Sequence, residues 1–239
     1  MPAYGEAAYW DQRYQREPTC FDWYQGFSGL EPVLKQHVPK TANILHVGVG
    51  TSQLQADMVQ QGGYQSILNT DISSVVVRHM QDLHKAMPQL QYRVADARSM
   101  PEFKDGAFDA VIDKGTLDAV LCGEHAGDNA TSMLDECSRV LRPGGVLVVV
   151  TYGEPCSRLP LLLQPCYGWR VTLYVTGNQL GKHLHMFPTQ LSPVIHGPVD
   201  THSLESYDAF SALDHAHFVY VCIKHELGSC SNGSSSTAV

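Results

Sequence analysis

Three apolar runs in the first half of the chain are each followed by residues whose types and spacing could do chemistry. Gly48 and Gly50 close the first run, Asp71 closes the second at 23 residues after Gly48, and Asp96 closes the third. Glycine lets a backbone approach a ligand closely, and a carboxylate after the next strand suits the hydroxyls of a ribose. Because parallel strands end at one edge of their sheet, this spacing predicts a nucleotide-type site on an α/β sheet.

The glycine turn departs from the pattern that binds nicotinamide and flavin dinucleotides. That pattern has a third glycine three residues after the second, which allows the helix to pack closely on the strand. Gln53 occupies this position here, and Ser52 stands before it. The sequence therefore disfavours a dinucleotide and favours another nucleotide-like cofactor.

Further motifs follow one another along the rest of the chain. They are an aromatic box at residues 9–14, a second one at residues 21–24, and the segments 71–76, 108–119 and 139–145. With these motifs the chain resembles, over residues 9–225, a class I S-adenosylmethionine-dependent methyltransferase of the seven-stranded type. The aromatic boxes and the Lys-Gly-Thr-Leu-Asp stretch are similar in particular to the eukaryotic lysine methyltransferases that act on elongation factor 1-alpha.

The resemblance implies an α/β fold with a doubly wound, Rossmann-like seven-stranded sheet, mostly parallel with an antiparallel last strand. We expect one methyltransferase domain over residues 1–226, in which an N-terminal aromatic lid covers about residues 1–27. Residues 227–239 are rich in Ser and Gly and are expected to form a disordered tail. A capping-box pattern at residues 28–31 predicts a helix over about residues 29–38.

The resemblance also implies S-adenosyl-L-methionine as cofactor, with S-adenosyl-L-homocysteine as product. In this family type the glycine turn passes the methionine part, Asp71 accepts both ribose hydroxyls, and Asp96 takes the adenine amino group. Aromatic residues of the lid close over the cofactor. The residues to which cofactor contacts are thereby assigned are Trp10, Arg13, Tyr14, Trp23, Gly48, Gly50, Asp71, Ile72, Asp96, Ala97 and Lys114.

Several of these assignments have structural alternatives. Asp96 could be an ordinary turn residue, and the aromatic residues of the lid, Tyr14 above all, could form an amphipathic face that packs on the body of the domain. Asp71 could instead cap a helix that begins near Ser74. Arg13 either holds the carboxylate of the cofactor bidentately or pairs with Asp11 or Asp22. All of these alternatives stay open on the sequence alone.

The end of the fourth strand provides the expected catalytic residue. Asp113 is predicted to contact the reacting amine, since its charge favours an incoming ammonium. Lys114 follows it and belongs to the cofactor contacts by resemblance. Because a cation beside a sulfonium is unfavourable, we expect the aliphatic stem or the backbone of Lys114 to make that contact.

The predicted function is methyl transfer to a protein lysine, with elongation factor 1-alpha or a similarly basic protein as partner. Two alternatives are a class I methyltransferase that acts on a small molecule and a binding module that has kept the fold without turnover. The second is favoured by His46, where many class I enzymes have an acidic residue, and by Ser52, where many have glycine.

Composition narrows the partners. The net charge of −8 over 239 residues, with no cluster of Lys and Arg, argues against nucleic acid. Seven cysteines without a C-x-x-C pair are typical of a reduced, intracellular protein. The start of the chain does not resemble a signal peptide, and no apolar run reaches membrane-spanning length. We therefore expect a cytoplasmic protein without a membrane partner.

One histidine-rich segment requires its own interpretation. Residues 176–202 are rich in Gly, Pro and His, and they include the pair His183 and His185. Metal sites need a convergent set of ligands, and this pair has no obvious second pair. We predict a surface loop here and no bound metal.

Overall fold

The computed structural model describes residues 4–176, 190–192, 195–201 and 216–225. The tail predicted at residues 227–239 lies outside this part of the chain. The helices and strands, in chain order, are α1 (Ala7–Arg16), α2 (Phe27–His37), β1 (Asn43–Val47), α3 (Leu54–Gln60), β2 (Ser66–Asp71), α4 (Ser74–Leu83), β3 (Leu90–Val94), β4 (Phe108–Lys114), α5 (Thr116–Leu121), α6 (Ala126–Val140), β5 (Leu141–Thr151), α7 (Pro155–Leu162), β6 (Trp169–Thr176), β7 (Gln190–Ser192), β8 (Ile195–Asp200) and β9 (His217–Lys224).

All of these strands belong to one sheet, in the order β3-β2-β1-β4-β5-β9-β6-β8-β7. Strands β3, β2, β1, β4 and β5 are parallel neighbours, while β9 runs antiparallel between β5 and β6. The predicted doubly wound, mostly parallel sheet with an antiparallel last strand is therefore confirmed. The strand order reverses between β1 and β4, and open α/β sheets bind their ligands at such a switch point.

The edge beyond β6 is longer than the sequence predicts. Strand β8 pairs antiparallel with β6, and β7 pairs with β8, within the segment that was expected to be a loop. Gly197 and Pro198 interrupt the side-chain alternation by which a strand is recognised in a sequence. His183 and His185 lie outside the described residues, among which no group of three potential metal ligands occurs.

Each face of the sheet is covered by its own apolar core. Helices α5, α6 and α7 cover one face, and α2 and α3 cover the other. In β5, Leu147 and Val149 face the first core while Val146 and Val148 face the second. This two-sided burial explains why β5 is a continuous apolar run in the sequence. None of the helices described here has the length and apolar character needed to cross a membrane.

Helix α2 begins earlier than its capping-box pattern predicts. Gly26 is the residue before the helix, and its carbonyl accepts a hydrogen bond of 3.2 Å from the Leu30 amide. Ser28 lies one residue inside the helix with an exposed side chain, so the predicted capping box is wrong. Phe27 and Leu30 are both buried in the core beneath α2, and their burial fixes the start of the helix instead.

Candidate functional site

A cavity of about 210 Å³ opens at the carboxyl ends of β1 to β4 and is bounded by the N-terminal segment. Every residue to which the sequence assigned a cofactor contact lies on its wall. These are Trp10, Arg13, Tyr14, Trp23, Gly48, Gly50, Asp71, Ile72, Asp96, Ala97 and Lys114. Tyr4, Glu17 and Arg98 also line the cavity, although no motif in the sequence distinguished them. Asp113 does not.

The glycine turn after β1 has a backbone that requires glycine. Gly48 and Gly50 have positive φ angles of 60° and 54°, which other residues rarely adopt. A Cβ atom on Gly48 would overlap the side chain of Thr116, whose hydroxyl donates to the Val47 carbonyl at 3.0 Å. A Cβ atom on Gly50 would lie 3.0 Å from the hydroxyl of Tyr14. The turn therefore brings bare backbone to the cavity from one side and packs against α5 on the other.

Asp71 ties this turn to the next strand end. Its carboxylate accepts hydrogen bonds of 2.9 Å from the amides of Gly50 and Ser73. The cap of α4 is Ser73, whose hydroxyl accepts from the Val76 amide, so Asp71 does not have the capping role considered above. Burial raises the pKa of Asp71 to about 6, against the opposing effect of the amide hydrogen bonds. An ionised Asp71 keeps free lone pairs with which it can accept hydroxyl groups.

Asp96 reaches the cavity in a fixed orientation. Arg98, which also lines the cavity, holds the carboxylate of Asp96 with a shortest nitrogen–oxygen distance of 2.7 Å. The Arg98 amide donates to the same carboxylate at 2.9 Å. Because these partners are its own neighbours in the chain, Asp96 is positioned without help from a distant element. Ala97, which follows it, is buried against the core.

Helix α1, which forms the first part of the N-terminal segment, docks on the start of α4. Asp11 accepts hydrogen bonds from the Ser73 hydroxyl and from the Val75 amide at the start of α4. A carboxylate is favourable there because the N-terminus of a helix carries partial positive charge. Trp10 stacks on Tyr14 with ring centroids 5.7 Å apart, which turns both rings toward the cavity. Burial, followed by the nearby Asp71 charge, raises the pKa of Tyr14 far above its usual range.

Arg13 lies between two aromatic rings of this segment. Its guanidinium carbon is 5.5 Å from the ring centroid of Trp10 and 5.5 Å from that of Trp23. Asp11 binds the start of α4 and Asp22 binds Lys114, so neither is the partner of Arg13. No salt bridge includes Arg13 in the described part of the chain. Its fork of donors therefore faces the cavity, where it could bind a carboxylate bidentately.

Lys114 lines the cavity, but its ammonium group has protein partners. Its Nζ atom donates to Asp22 at 2.8 Å and to the Trp23 carbonyl at 3.1 Å. Burial lowers the pKa of Lys114, and the charge of Asp22 opposes this effect. Burial alone would raise the pKa of Asp22, but the charge and hydrogen bond of Lys114 hold the pKa of that carboxyl below its usual value. Only the stem and backbone of Lys114 remain available to a ligand.

The structure corrects the prediction for Asp113. The side chain is 1% exposed and its carboxylate accepts hydrogen bonds from the amides of Thr116, at 2.8 Å, and Leu117. Successive residues of a strand point to opposite faces, so Asp113 turns into the core beneath α5 while Lys114 faces the cavity. Burial, and then the charge of Asp118, raises the pKa of Asp113 to about 7. Asp113 anchors the start of α5 and has no access to an acceptor.

Asp118 is the other acid of this segment, and the structure gives it four partners, of which the Tyr152 amide is the most distant at 3.3 Å. It accepts hydrogen bonds from the hydroxyls of Tyr24 and Thr151 and from the guanidinium of Arg158. Tyr24 has a positive φ of 62°, and its hydroxyl lies 2.7 Å from Asp118. These residues are far apart in sequence, so no local motif could reveal the cluster. It joins the end of the N-terminal segment to β5 and α7.

His46 is buried in the sheet and does not line the cavity. Its side chain is 1% exposed, and its Nδ1 atom has no hydrogen-bond partner within the described residues. Burial, and then the charge of Lys114, lowers the pKa of His46 to about 3. The imidazole is therefore neutral and cannot replace an acidic residue at this position.

Fold and cavity together define an α/β protein built to hold a nucleoside-type cofactor at the switch point of its sheet. Comparison with known proteins then identifies the family. The family model described as "Methyltransferase domain" matches residues 45–149, which include the glycine turn, Asp71 and Asp96.

Curated relatives are similar over most of the chain. EEF1A lysine methyltransferase 4 of Bos taurus is 34% identical over 193 residues, which cover 77% of this chain and 75% of that protein. The citrate synthase-lysine N-methyltransferase of Homo sapiens, described as mitochondrial, is 34% identical over 179 residues, or 67% of this chain and 73% of that protein. The eEF1A lysine and N-terminal methyltransferase of Homo sapiens is 34% identical over 80% of this chain, but only 28% of that longer protein is covered.

Solved structures share the fold at low sequence identity. A SAM-dependent methyltransferase from Methanosarcina mazei superposes with a TM-score of 0.55 at 14% identity, covering 86% of this chain and 100% of that one. The cyclase SpnF gives the same TM-score of 0.55 at 19% identity, covering 86% of this chain and 83% of that one. A methyltransferase and a cyclase share this fold, so the fold alone does not decide the chemistry. The family model and the curated relatives do: the chain belongs to the S-adenosylmethionine-dependent methyltransferases.

The buried position of Asp113 predicts a pH-dependent stability. The folded protein binds this proton more tightly than the unfolded chain, so the free energy of unfolding falls as the pH rises from about 4 to about 7. Asp113→Asn removes this dependence. From pH 5 to pH 7 the variant should gain about 2 kcal/mol relative to the wild type in urea unfolding. A constant difference between the two proteins would contradict the prediction, and Asp82→Asn on the exposed face of α4 is the control.

Proposed function

We propose that the protein transfers a methyl group from S-adenosyl-L-methionine to a lysine side chain of a protein, with elongation factor 1-alpha as the acceptor. The observation that carries this proposal is the cavity itself. Its wall combines a bare glycine turn, a buried carboxylate and a guanidinium without a protein carboxylate partner in the described structure. These groups match the methionine part, the ribose and the carboxylate of this cofactor. The names of the relatives given above point to a lysine as the acceptor.

The wall residues divide the cofactor among them. Asp71 accepts hydrogen bonds from the ribose hydroxyls, and Asp96 accepts one from the adenine amino group. Ile72 and Ala97 pack on the adenine ring. Arg13 holds the carboxylate of the methionine part between the rings of Trp10 and Trp23. This assignment is supported by the position of all these residues on one cavity wall.

The bound cofactor supplies an activated methyl group on a sulfonium. The protein must align an amine with that group and exclude water, and both tasks depend on position more than on strong acids or bases. A lysine amine must also lose its proton, and its pKa falls when the side chain is desolvated. The aromatic rings of Phe21 and Trp23, which line the cavity, supply a surface on which the lysine stem is desolvated.

Glu17 takes the role that the sequence assigned to Asp113. The acids of the cavity wall are Glu17, Asp71 and Asp96. Asp71 is bound by amides and Asp96 by Arg98, whereas no salt bridge includes Glu17 in the described structure. Its exposed carboxylate can attract the ammonium of an incoming lysine before that group is desolvated.

The acceptor is chosen between two proteins that the relatives name. Citrate synthase-lysine methylation belongs to a relative as similar as those named for elongation factor 1-alpha, so overall identity does not separate them. The aromatic boxes and the Lys-Gly-Thr-Leu-Asp stretch favour elongation factor 1-alpha, and a cytoplasmic location follows from that acceptor. The net charge of −8 disfavours a nucleic-acid acceptor.

Asp71→Ala tests the cofactor site. The variant should bind S-adenosylhomocysteine more weakly by on the order of 2–4 kcal/mol, because charged hydrogen bonds to the ribose are lost. Isothermal titration measures the affinity, and thermal unfolding shows that the variant is folded. Asp82→Ala is the matched control on an exposed carboxylate. Equal affinity of Asp71→Ala and wild type would remove the assignment of this site.

The raised pKa of Asp71 predicts a pH dependence of the same affinity. The ionised carboxylate accepts both hydroxyls, whereas the protonated form has lost acceptor capacity. Because the pKa of Asp71 is about 6 before binding, the affinity should fall by up to tenfold per unit below pH 6. Asp71→Asn keeps the shape of the side chain and should bind weakly at every pH without this slope. A parallel slope in both proteins would assign the titration to another group.

The acceptor is tested with purified proteins and labelled S-adenosyl-L-methionine. Unmodified elongation factor 1-alpha and citrate synthase are compared, and mass spectrometry locates the methyl group. The expected product is a methylated lysine on elongation factor 1-alpha, formed at least tenfold more slowly by Glu17→Gln with unchanged cofactor affinity. Asp71→Ala serves as the control variant that binds the cofactor poorly. Methylation of citrate synthase alone, or of a small metabolite with every lysine unlabelled, would overturn the proposed acceptor.

A further inference from the structure

Lys114 is a buried cation at the meeting point of three elements. It ends β4, and its side chain is 3% exposed. Its Nζ atom contacts Asp22 at 2.8 Å and the carbonyl of Trp23 at 3.1 Å, and both partners belong to the segment that bounds the cavity. Residues 19–24, which we call the lid segment, are therefore bound to the end of β4 by the ammonium group of Lys114.

Asp22 receives a second set of hydrogen bonds from residues 51–53, which follow the glycine turn and which we call the glycine loop. The Ser52 hydroxyl donates to one carboxylate oxygen, and the Gln53 amide donates to the other at 3.1 Å. Beside it, the Phe21 amide donates to the Thr51 hydroxyl at 3.2 Å. The lid segment thus lies on the glycine loop along several residues, and Asp22 joins that loop to Lys114.

This geometry explains the departure of Ser52 from the usual glycine. A glycine has no hydroxyl, so it could not donate to Asp22. The same hydroxyl accepts a hydrogen bond of 3.1 Å from the Leu54 amide at the start of α3. Ser52 therefore links the lid segment to the first turn of the helix that follows the glycine loop.

We propose that Lys114 is a positioning residue that holds the lid segment closed over the cavity through Asp22. The inference concerns the closure of the cofactor site and rests on the proposed function only for the identity of the cofactor. Charge-assisted hydrogen bonds are stronger than neutral ones, and here they replace the contact of the Lys114 ammonium with a ligand. Lys114 orders Trp23, and Trp23 in turn covers one side of Arg13.

The two partners should respond differently to substitution. The side chain of Asp22 is already 28% exposed beside Lys114, so without Lys114 its carboxylate can be solvated as the lid segment opens. Without Asp22, the ammonium of Lys114 stays buried and loses its counter-charge, which is more costly to the fold. Lys114→Met should therefore open the lid segment with little loss of stability, whereas Asp22→Asn should open it and lower the unfolding temperature.

The experiment compares Lys114→Met, Asp22→Asn and the double variant with Lys35→Met. Lys35 forms an exposed ion pair with Glu31 at 3.4 Å and is a matched control far from the cavity. Amide hydrogen exchange of residues 19–24 is measured without cofactor, and affinity for S-adenosylhomocysteine is measured by titration. Both single variants should exchange at least tenfold faster in the lid segment and bind at least tenfold more weakly. The double variant should bind no more weakly than the worse single variant, because one contact cannot be lost twice.

Two results would overturn the proposal. One is normal protection of residues 19–24 in Lys114→Met. The other is multiplication of the two single effects on affinity, since that would show that Lys114 acts on the cofactor independently of Asp22. Hydrogen exchange without cofactor reports only the closure of the lid segment. Its result therefore stands apart from the identity of the methyl acceptor.

Discussion

The structure of the site depends on the hydrogen bonds by which Asp71 holds the glycine turn. Two parallel strands end side by side, and without a link their loops would be free to separate. The carboxylate accepts from the Gly50 amide on one side and from the Ser73 amide on the other, so one side chain sets the loop after β1 and the start of α4. Asp11 then docks α1 on that same helix start. Loop, helix and N-terminal segment are thereby placed in sequence from a single buried charge.

Gly48, Gly50, Asp71 and Asp96 could be predicted on the cavity wall from the sequence because they follow strand ends, which apolar runs reveal. The wall residues of the N-terminal segment follow no strand, and they were assigned only by resemblance to the family. Asp113 could not be placed in this way, since the alternation of a strand does not say which of two neighbours faces the ligand. The amides at the start of α5 decide it by drawing the carboxylate inward. The start of α2 and the strands β7 and β8 were missed for a related reason. Burial of Phe27 and the pairing of β8 with β6 are tertiary properties that no local pattern encodes.

The two departures from the common class I pattern have different physical meanings. His46 is neutral in its buried site and supplies no negative charge to a ligand. Ser52 has a partner in Asp22, which brings a carboxylate to the glycine loop from a different part of the chain. In the isolated motif, Ser52 suggests a loss of function. In the folded protein it is paired with Asp22, and this pairing is visible only in the structure.

The position of the tryptophans has a consequence for how this protein can be observed. The chain contains three, and two of them, Trp10 and Trp23, flank Arg13 on the cavity wall. Trp169 is buried in the core between the sheet and α7, with its indole nitrogen bound to the Leu162 carbonyl. Indole emission depends on solvent contact and on nearby charges. The unmodified protein therefore has an intrinsic optical reporter of its own closure, with a constant background from the one indole that does not face the cavity.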